Sequence, residues 1–164
     1  MQEFIFYCKI PNTGYNILAM KLVIQRVKKA SVSSGDEVVG KIDLGLFILI
    51  GVSDTDTLEN AKKLAEKVYK MRLMRDDEDK MNKSVSDVNG EFLLVSQFTL
   101  YADTAGGNRP SFIHAARPEV ARPVYEKFVQ TIKELGGKVE IGSFGNYMEI
   151  ETILDGPVTI VVEG

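Results

Sequence analysis

Four polar and aromatic residues that follow an apolar strand pattern are the first candidates for chemistry. The apolar run 92–95 gives way abruptly to Ser96, Gln97, Phe98 and Thr99. Because side chains alternate between the two faces of a strand, Gln97 and Thr99 are predicted to share one face. Hydroxyl groups here most often cap a sheet edge or bond to backbone, and that interpretation stays open. The functional alternative is a ligand pocket at the end of a strand.

Two further segments have unusual composition for their positions. Gly156-Pro157 lies between two predicted strands, where proline cannot donate to a sheet ladder. A turn is the default interpretation, since only about 5–6% of X-Pro bonds in folded proteins are cis. In the segment 108–112, Arg109 and the neighbouring amide groups are candidates for contact with phosphate, although such Gly-Asn and Arg-Pro pairs are common in loops.

The composition restricts the available chemistry. The 164 residues include one histidine, His114, and one cysteine, Cys8. They cannot supply the several His or Cys ligands of a zinc site, and we predict no metal site, although carboxylate-rich magnesium or calcium sites stay formally open. A Ser-His-Asp or Cys-His enzyme has to be built around His114. A single cysteine suits a reducing compartment, and we expect a cytoplasmic protein.

The charge balance is that of an ordinary soluble domain. A net charge of −3 differs from the basic balance of a general nucleic-acid coat protein. Basic residues do cluster between Lys62 and Arg75, which predicts either a solvated helix face or a contact with nucleic acid. No apolar run approaches the roughly 20 residues of a membrane-spanning helix, so no membrane association is expected.

Periodicity predicts an α+β fold in a single domain at residues 20–164. The pattern gives a mainly antiparallel, barrel-like sheet with two principal helices. One helix is predicted from an N-cap at Asp56 to about Leu73, and the other from Pro118 to Leu135. The predicted strands are 21–27, 32–34, 38–42, 46–52, 92–101, 138–141, 148–153 and 158–162.

The first 19 residues are predicted to be an extension outside the native domain. They carry Glu3 where a secretory signal would be basic, and Lys9 and Pro11 break their apolar stretch. Met20 stands directly before a strong strand pattern, and we expect translation of the native chain to begin there.

The motifs together resemble the D-aminoacyl-tRNA deacylase family, also called D-tyrosyl-tRNA deacylases. The resemblance extends over residues 20–164. The segments that carry it, in order, are 24–27, 80–82, 96–100, 108–112, 144–145 and 155–159.

The resemblance implies a homodimer whose active sites lie at the subunit interface. Residues 96–99 match the motif that receives the 3′-terminal adenosine and its ester, and Phe144 and Met148 match residues lining the adenosine pocket. Gly156-Pro157 matches a cis dipeptide inserted from the partner subunit to reject L-amino acids. Arg26 matches the arginine that holds this dipeptide.

The activity implied is hydrolysis of D-aminoacyl-tRNA, with no cofactor, and glycyl-tRNA is also expected to fit. Thr99, Gln97 and the backbone of Phe98 are the expected catalytic groups. Thr99 is the natural nucleophile by type, but no base is evident beside it, and we favour it as a positioning group. The resemblance suggests instead that the terminal 2′-hydroxyl of the tRNA assists attack by water, with backbone N–H groups near Phe98 and Thr99 stabilising the oxyanion.

Two alternatives and two departures accompany this hypothesis. The chain is alternatively a non-catalytic nucleic-acid-binding module, although no DNA partner is expected, or a relative with a trans Gly-Pro that edits another mischarged tRNA. Leu154 stands where many members carry Asn, and Asn146-Tyr147 replaces a common Ala-Asp pair. The second departure is expected to alter the pocket rim.

Overall fold

The strands form a curled seven-stranded sheet and a small two-stranded hairpin in the computed structural model, which describes the strand Ile5–Lys9 and residues 19–164. Within that part of the chain the sheet order is β1-β9-β2-β4-β7-β8, with β3 paired to β2, and β5 pairs with β6. The strands are β1 (Ile5–Lys9), β2 (Lys21–Ser34), β3 (Glu37–Ile42), β4 (Gly45–Gly51), β5 (Met74–Arg75), β6 (Met81–Lys83), β7 (Glu91–Ser96), β8 (Lys138–Ile141) and β9 (Glu149–Glu163).

The long strand β2 organises the sheet. One of its edges pairs antiparallel with β9, and its other edge pairs first with β4 and then with β3. This division lets β3 fold back over β7 and β8. A Cβ added at Gly40 in β3 would lie 2.7 Å from the carbonyl oxygen of Ile141, so the close approach requires glycine. The sheet is therefore barrel-like.

Two helices, α1 (Leu58–Lys70) and α2 (Pro118–Glu134), connect the parallel strands β4, β7 and β8. A parallel pair of strands needs such a crossover connection. The helices pack on each other and on the sheet, and Pro118 occupies the first turn of α2, where a missing N–H is tolerated.

The α1 helix begins one residue later than the sequence predicted. Thr57 is the N-cap, and its hydroxyl accepts a hydrogen bond from the Asn60 N–H. Asp56 is buried instead and accepts hydrogen bonds from the N–H groups of Met20 and Ser53, at 3.0 and 2.7 Å. Burial raises the pKa of the Asp56 carboxyl, and these hydrogen bonds oppose the rise. The helix ends at Lys70, because Met71 adopts an extended conformation.

Side-chain alternation along the strands divides the interior into two cores. Leu46, Ile48 and Ile50 of β4 face the core between sheet and helices, while Phe47 joins a second core inside the curled sheet. The second core also contains Val27, Ala30, Val32, Ile42, Leu93 and Val95. This accounts for the nearly continuous apolar runs of β4 and β7.

The α+β, barrel-like prediction is confirmed, and the longest ladders are antiparallel. Three strand predictions were wrong. The predicted strands 21–27 and 32–34 form one strand, β2. The strand predicted over 92–101 ends at Ser96 and turns into a 3-10 helix at Phe98–Tyr101, and the last two predicted strands form one strand, β9.

The extension predicted for residues 1–19 lies largely outside the described residues. Its strand β1 pairs parallel with the end of β9, from Thr159 to Glu163. In the described chain, no helix is long and apolar enough to cross a membrane.

Candidate functional site

A cavity of about 580 Å³ opens where β7 ends, and we call it the main cavity. It brings together five of the predicted site residues: Ser96, Gln97, Phe98, Phe144 and Met148. The rest of its wall is mostly apolar. It comes from Ile50, Val52, Phe112, Ala115, Ala116, Pro118, Ala121, Gly145, Asn146, Tyr147 and Ile150. A mostly apolar concave wall with few polar groups is typical of a small-molecule or nucleoside site.

The chain leaves β7 in a tight turn at the cavity. Gln97 donates its N–H to the carbonyl of Ile50 at 2.7 Å, and a 3-10 helix follows at once. The sequence predicted that Gln97 and Thr99 share one face of a strand, but the strand ends before them. They meet through the turn instead, where the Gln97 side-chain amide donates to the Thr99 hydroxyl at 2.5 Å.

The same turn leaves two backbone donors available. The first N–H groups of a 3-10 turn have no acceptor inside it. Among the described residues, no hydrogen bond is recorded for the N–H of Phe98 or of Thr99, whereas Leu100 donates to Gln97 at 3.4 Å. Two adjacent N–H groups of this kind can bind an oxyanion.

An aromatic pair marks the rim. The rings of Phe98 and Phe112 pack edge to face with centroids 5.1 Å apart. Phe98 is 58% exposed despite its apolar ring, so the turn presents it to whatever enters the cavity. Tyr147, on the opposite segment of the wall, is 83% exposed.

A four-residue turn at 143–146 places Phe144 in the wall. Asn146 closes the turn by donating its N–H to the Ser143 carbonyl at 3.2 Å and its side-chain amide to the Ser143 hydroxyl at 2.7 Å. Gly145 has a φ of +80°, in the left-handed region that favours glycine. The sulfur of Met148 lies 3.2 Å from the Ser143 nitrogen and braces the turn from inside.

Phe144 is fixed from two sides by α2. The Tyr125 ring lies 5.6 Å from its centroid, and the Arg122 guanidinium carbon lies 4.6 Å over its face. The Tyr125 hydroxyl donates to the Leu94 carbonyl at 2.9 Å, so this support is itself anchored. Burial raises the pKa of Tyr125 well above its usual value and keeps the phenol neutral.

Gly156-Pro157 projects from a bulge between β2 and β9. Gln25 pairs with Thr159 and Val27 pairs with Leu154, so the four residues 155–158 oppose Arg26 alone. Such a bulge releases the chain from the ladder and tolerates proline. The Gly156-Pro157 peptide is cis, both residues are exposed, and neither lines the main cavity.

Arg26 holds this bulge from below. Its side chain is buried, and its Nε lies 2.9 Å from the Asp155 carboxylate and donates to the Asp155 carbonyl at 3.1 Å. Its Nη1 donates to the Leu73 carbonyl at 2.9 Å. Burial lowers the pKa of the guanidinium, which the Asp155 carboxylate opposes. Arg75 approaches the other carboxylate oxygen of Asp155 at 3.8 Å.

General bases are scarce at this site. His114 is exposed and is not part of the wall of the main cavity. Within the described ranges, no group of three or more His, Cys, Asp or Glu side chains could hold a metal ion. Thr99 is exposed and is not part of this wall either, and its link to the cavity is the hydrogen bond from Gln97. The polar groups at the cavity are therefore backbone groups, the side chains of Ser96, Gln97 and Asn146, and whatever a substrate supplies.

Sequence analysis missed part of the wall. Phe112 belongs to the segment singled out for Arg109, but its aromatic side chain was not assigned to the pocket. Ala121 and Ile50 gave no signal, because small and apolar residues there are indistinguishable from core positions. Tyr147 was identified only as a departure at the rim.

Comparison with known proteins identifies the class. The family model described as D-Tyr-tRNA(Tyr) deacylase matches residues 23–163. The D-aminoacyl-tRNA deacylase of Limosilactobacillus reuteri is 51% identical over 144 residues, covering 88% of this chain and 99% of that protein. Those of Geobacillus sp. and Chloroherpeton thalassium are each 50% identical and cover 88% of this chain and 95% of their own length.

Solved structures agree on the fold. The structure titled c-Myc DNA Unwinding Element Binding Protein is similar with a TM-score of 0.82 and 37% identity, covering 88% of this chain and 98% of its own. A probable eukaryotic D-amino acid tRNA deacylase has a TM-score of 0.75 at 17% identity, covering 87% of this chain and 98% of its own, and supports the fold alone. The chain belongs to the D-aminoacyl-tRNA deacylase family, whose members are hydrolases.

Proposed function

We propose that the protein hydrolyses the ester of D-aminoacyl-tRNA and releases the free D-amino acid and tRNA. The observation that carries the proposal is the main cavity, whose mostly apolar wall ends at a turn with two adjacent backbone donors, Phe98 in the wall and Thr99 directly after it. A terminal nucleoside fits the apolar part, and its ester fits the turn at 96–99. Membership in the family supports the same activity.

The 3′-terminal adenosine is proposed to bind against Phe144 and Met148. The aromatic ring offers a stacking or edge contact to a base, and such contacts tolerate any base. Specific recognition of adenine then rests on backbone groups of the wall. The ester carbonyl lies toward Gln97 and Thr99 in this arrangement.

The site is proposed to be completed by a second copy of the chain. The projecting loop at 155–158 points out of its own subunit, and the strand before it exposes apolar side chains: Ile150, Ile153 at 47% and Leu154 at 40%. An isologous dimer would cover this face and carry each loop to the partner's cavity. The cavity has an open mouth near Phe98 to receive it.

Chirality is proposed to be read by the backbone of Gly156-Pro157. Its carbonyl oxygens can accept hydrogen bonds from the substrate's α-ammonium group. With that group fixed, an L-side chain would collide with the dipeptide, and a D-side chain would point away. Rejection is then independent of side-chain identity, and glycine, which has no side chain, is accepted.

The reaction needs little from protein side chains. A water oxygen attacks the ester carbonyl, and the N–H groups of Phe98 and Thr99 stabilise the oxyanion. The bond from the carbonyl carbon to the terminal ribose oxygen then breaks, and that oxygen takes up a proton as tRNA leaves. The vicinal ribose hydroxyl assists the attack by passing the proton that the water loses to this leaving oxygen, and Thr99 with Gln97 positions the ester. No cofactor is required, and the proposed setting is the cytoplasm.

The test compares D-tyrosyl-tRNA with L-tyrosyl-tRNA as substrates of the full chain. Rapid release of D-tyrosine with the L-ester surviving is the expected result. Hydrolysis of both esters at similar rates would contradict the proposed rejection of L-amino acids by Gly156-Pro157. If neither ester is cleaved, the editing assignment fails, and a non-catalytic nucleic-acid-binding module becomes the better account. A preference for another mischarged tRNA would identify a relative with different specificity.

A further inference from the structure

A second cavity lies on the other side of Phe144 from the main cavity. It has a volume of about 400 Å³ and follows the exposed side of α2, and we call it the α2 groove. Phe144 belongs to the wall of both cavities, so the two are neighbours separated by one aromatic ring. Nothing in the proposed reaction uses this groove.

The groove has an apolar floor and polar sides. Its floor includes Val129, Ile141 and the aromatic rings of Tyr125 and Phe144. Its sides carry four long polar side chains from successive turns of α2: Arg122, Glu126, Gln130 and Lys133. At 1.5 Å per residue, Arg122 and Lys133 stand about 16 Å apart along the helix. That span is several times the rise of about 3.4 Å per stacked nucleotide of one strand.

The charges fit a polyanion along this line. Arg122 contacts the face of Phe144 and lies 3.9 Å from Glu126, a long and exposed pair that is worth little. For Lys133 no ion pair is recorded in the described part of the chain. A positive groove with aromatic and apolar surface is the usual site for a single-stranded nucleic acid.

We propose that the α2 groove binds the single-stranded nucleotides that precede the terminal adenosine of the tRNA. The inference rests on the proposed function, because a chain whose last nucleoside occupies the main cavity has to continue past its wall, and Phe144 is where that wall meets the groove. Arg122 and Lys133 contact phosphates, the floor contacts the bases, and Glu126 weakens the attraction. The groove adds affinity for the RNA and leaves the chemical step unchanged.

The test compares two substrates that differ only in these nucleotides: D-tyrosyl-tRNA and D-tyrosyl-adenosine. Lys133→Ala is expected to raise KM for the tRNA about three- to fivefold relative to the adenosine ester, with kcat unchanged. It should also reduce the slope of log affinity against log salt by about 0.7, the value for one lost contact to a single strand.

A gain-of-binding variant separates this role from a merely structural one. Glu126→Gln removes the negative side chain and is expected to lower KM for the tRNA by a similar factor. Lys127→Ala, on the same helix but outside the groove, is the matched control and should change neither substrate.

Three results would overturn the proposal: equal effects on both substrates, no effect of Lys133→Ala on the tRNA, or weaker tRNA binding by Glu126→Gln. If the unmodified protein cleaves neither ester, the proposed function itself fails, and the groove proposal fails with it. If it cleaves both esters and only the variants behave contrary to expectation, the function stands and the groove is not its RNA site.

Discussion

Arg26 is a buried charge whose partners lie in the bulge of β9 and in the short segment between α1 and β5. Its guanidinium contacts the carboxylate and carbonyl of Asp155 and the carbonyl of Leu73. A buried guanidinium that loses one partner keeps its desolvation cost without compensation, at about 3–5 kcal/mol. The position of the Gly156-Pro157 loop therefore depends on Asp155, which sequence analysis did not single out as a site residue.

We predict that Asp155→Asn loosens the loop and weakens discrimination between enantiomers. The ratio of kcat/KM for D-tyrosyl-tRNA to kcat/KM for L-tyrosyl-tRNA should fall at least about tenfold. The free energy of unfolding should decrease by about 3 kcal/mol. Asp79→Asn is the control, because Asp79 pairs with the exposed side of Arg75 at 3.2 Å and does not contact the loop. An unchanged ratio in Asp155→Asn would show that the contact between Asp155 and Arg26 does not control discrimination between the enantiomers.

Thr99 tests whether catalysis belongs to the protein or to the RNA. Its hydroxyl accepts from Gln97 and has no base beside it. Thr99→Ala is expected to reduce kcat less than about tenfold, whereas a 2′-deoxy terminal adenosine should reduce it about a hundredfold or more, the usual contribution of a general acid or base. A loss of several orders of magnitude in Thr99→Ala, with Thr99→Ser active, would restore a nucleophile mechanism.

Site residues could be predicted where a residue type is unusual for its position in a strand. They could not be predicted where the residue type is common in a protein core. Ser96 and Gln97 were recognisable as polar groups after an apolar strand. Their arrangement was not, because a 3-10 turn leaves no periodic signal and strand alternation gave the wrong geometry. Ala121 contributes only size and was indistinguishable from a core alanine.

At the scale of elements, the turn at 143–146 sets the shape of the main cavity. Gly145 adopts a left-handed conformation, and a Cβ there would meet open space within 4 Å. A substitution is therefore opposed by the backbone conformation and not by a collision.

We predict that Gly145→Ala displaces Phe144 and raises KM for D-tyrosyl-tRNA. The left-handed conformation costs an L-residue about 1–2 kcal/mol, so an increase of about five- to thirtyfold is expected. Gly106→Ala serves as the control, since Gly106 also has open space around it and no positive φ. Equal behaviour of the two variants would show that the turn does not control substrate binding.

The elements themselves were largely predictable from periodicity. Helices α1 and α2 and the buried strand β4 follow from regular apolar spacing. The errors concern where helices and strands begin, end or are interrupted, because a few side-chain contacts determine those positions. Asp56 was mistaken for a helix cap because it has a capping side chain, but burial against Met20 and Ser53 gives it another role.

At the scale of the whole molecule, residue 20 is tied into the domain. The Met20 N–H donates to Asp56 at 3.0 Å, and the Gly164 N–H donates to the Met20 carbonyl at 3.1 Å. The Met20 side chain is fully buried. A domain that starts here has its first residue in the core.

We propose that residues 20–164 fold and act without the preceding segment. The expected result is D-tyrosyl-tRNA hydrolysis within about twofold of the full chain, because segments at chain ends commonly contribute little to a domain. Strand β1 adds to the edge of β9, and that edge should tolerate its removal. Loss of activity or of folding in the shorter chain, judged by circular dichroism, would place residues 1–19 in the native domain.

The proposed sharing of the site between two subunits is the part least accessible to sequence reasoning. Periodicity and composition describe one chain, and they placed Gly156-Pro157 in a turn between two strands. Only the resemblance to a family suggested that this loop belongs to a partner's site. In the structure, Gly156-Pro157 is exposed and does not line the main cavity of the same chain.

The most direct test of the account mixes two variants that block different halves of the composite site. Ala121→Trp fills the main cavity of its own subunit, and Pro157→Trp places an indole in the cavity of the partner. Each variant alone should fail to hydrolyse D-tyrosyl-tRNA. After unfolding together and refolding as a random mixture, roughly a quarter of the sites should be intact, because half of the dimers are mixed and each has one unblocked site. Activity near that level is the result the account predicts. An active Pro157→Trp homodimer, or no recovery in a mixture that contains mixed dimers, would contradict it.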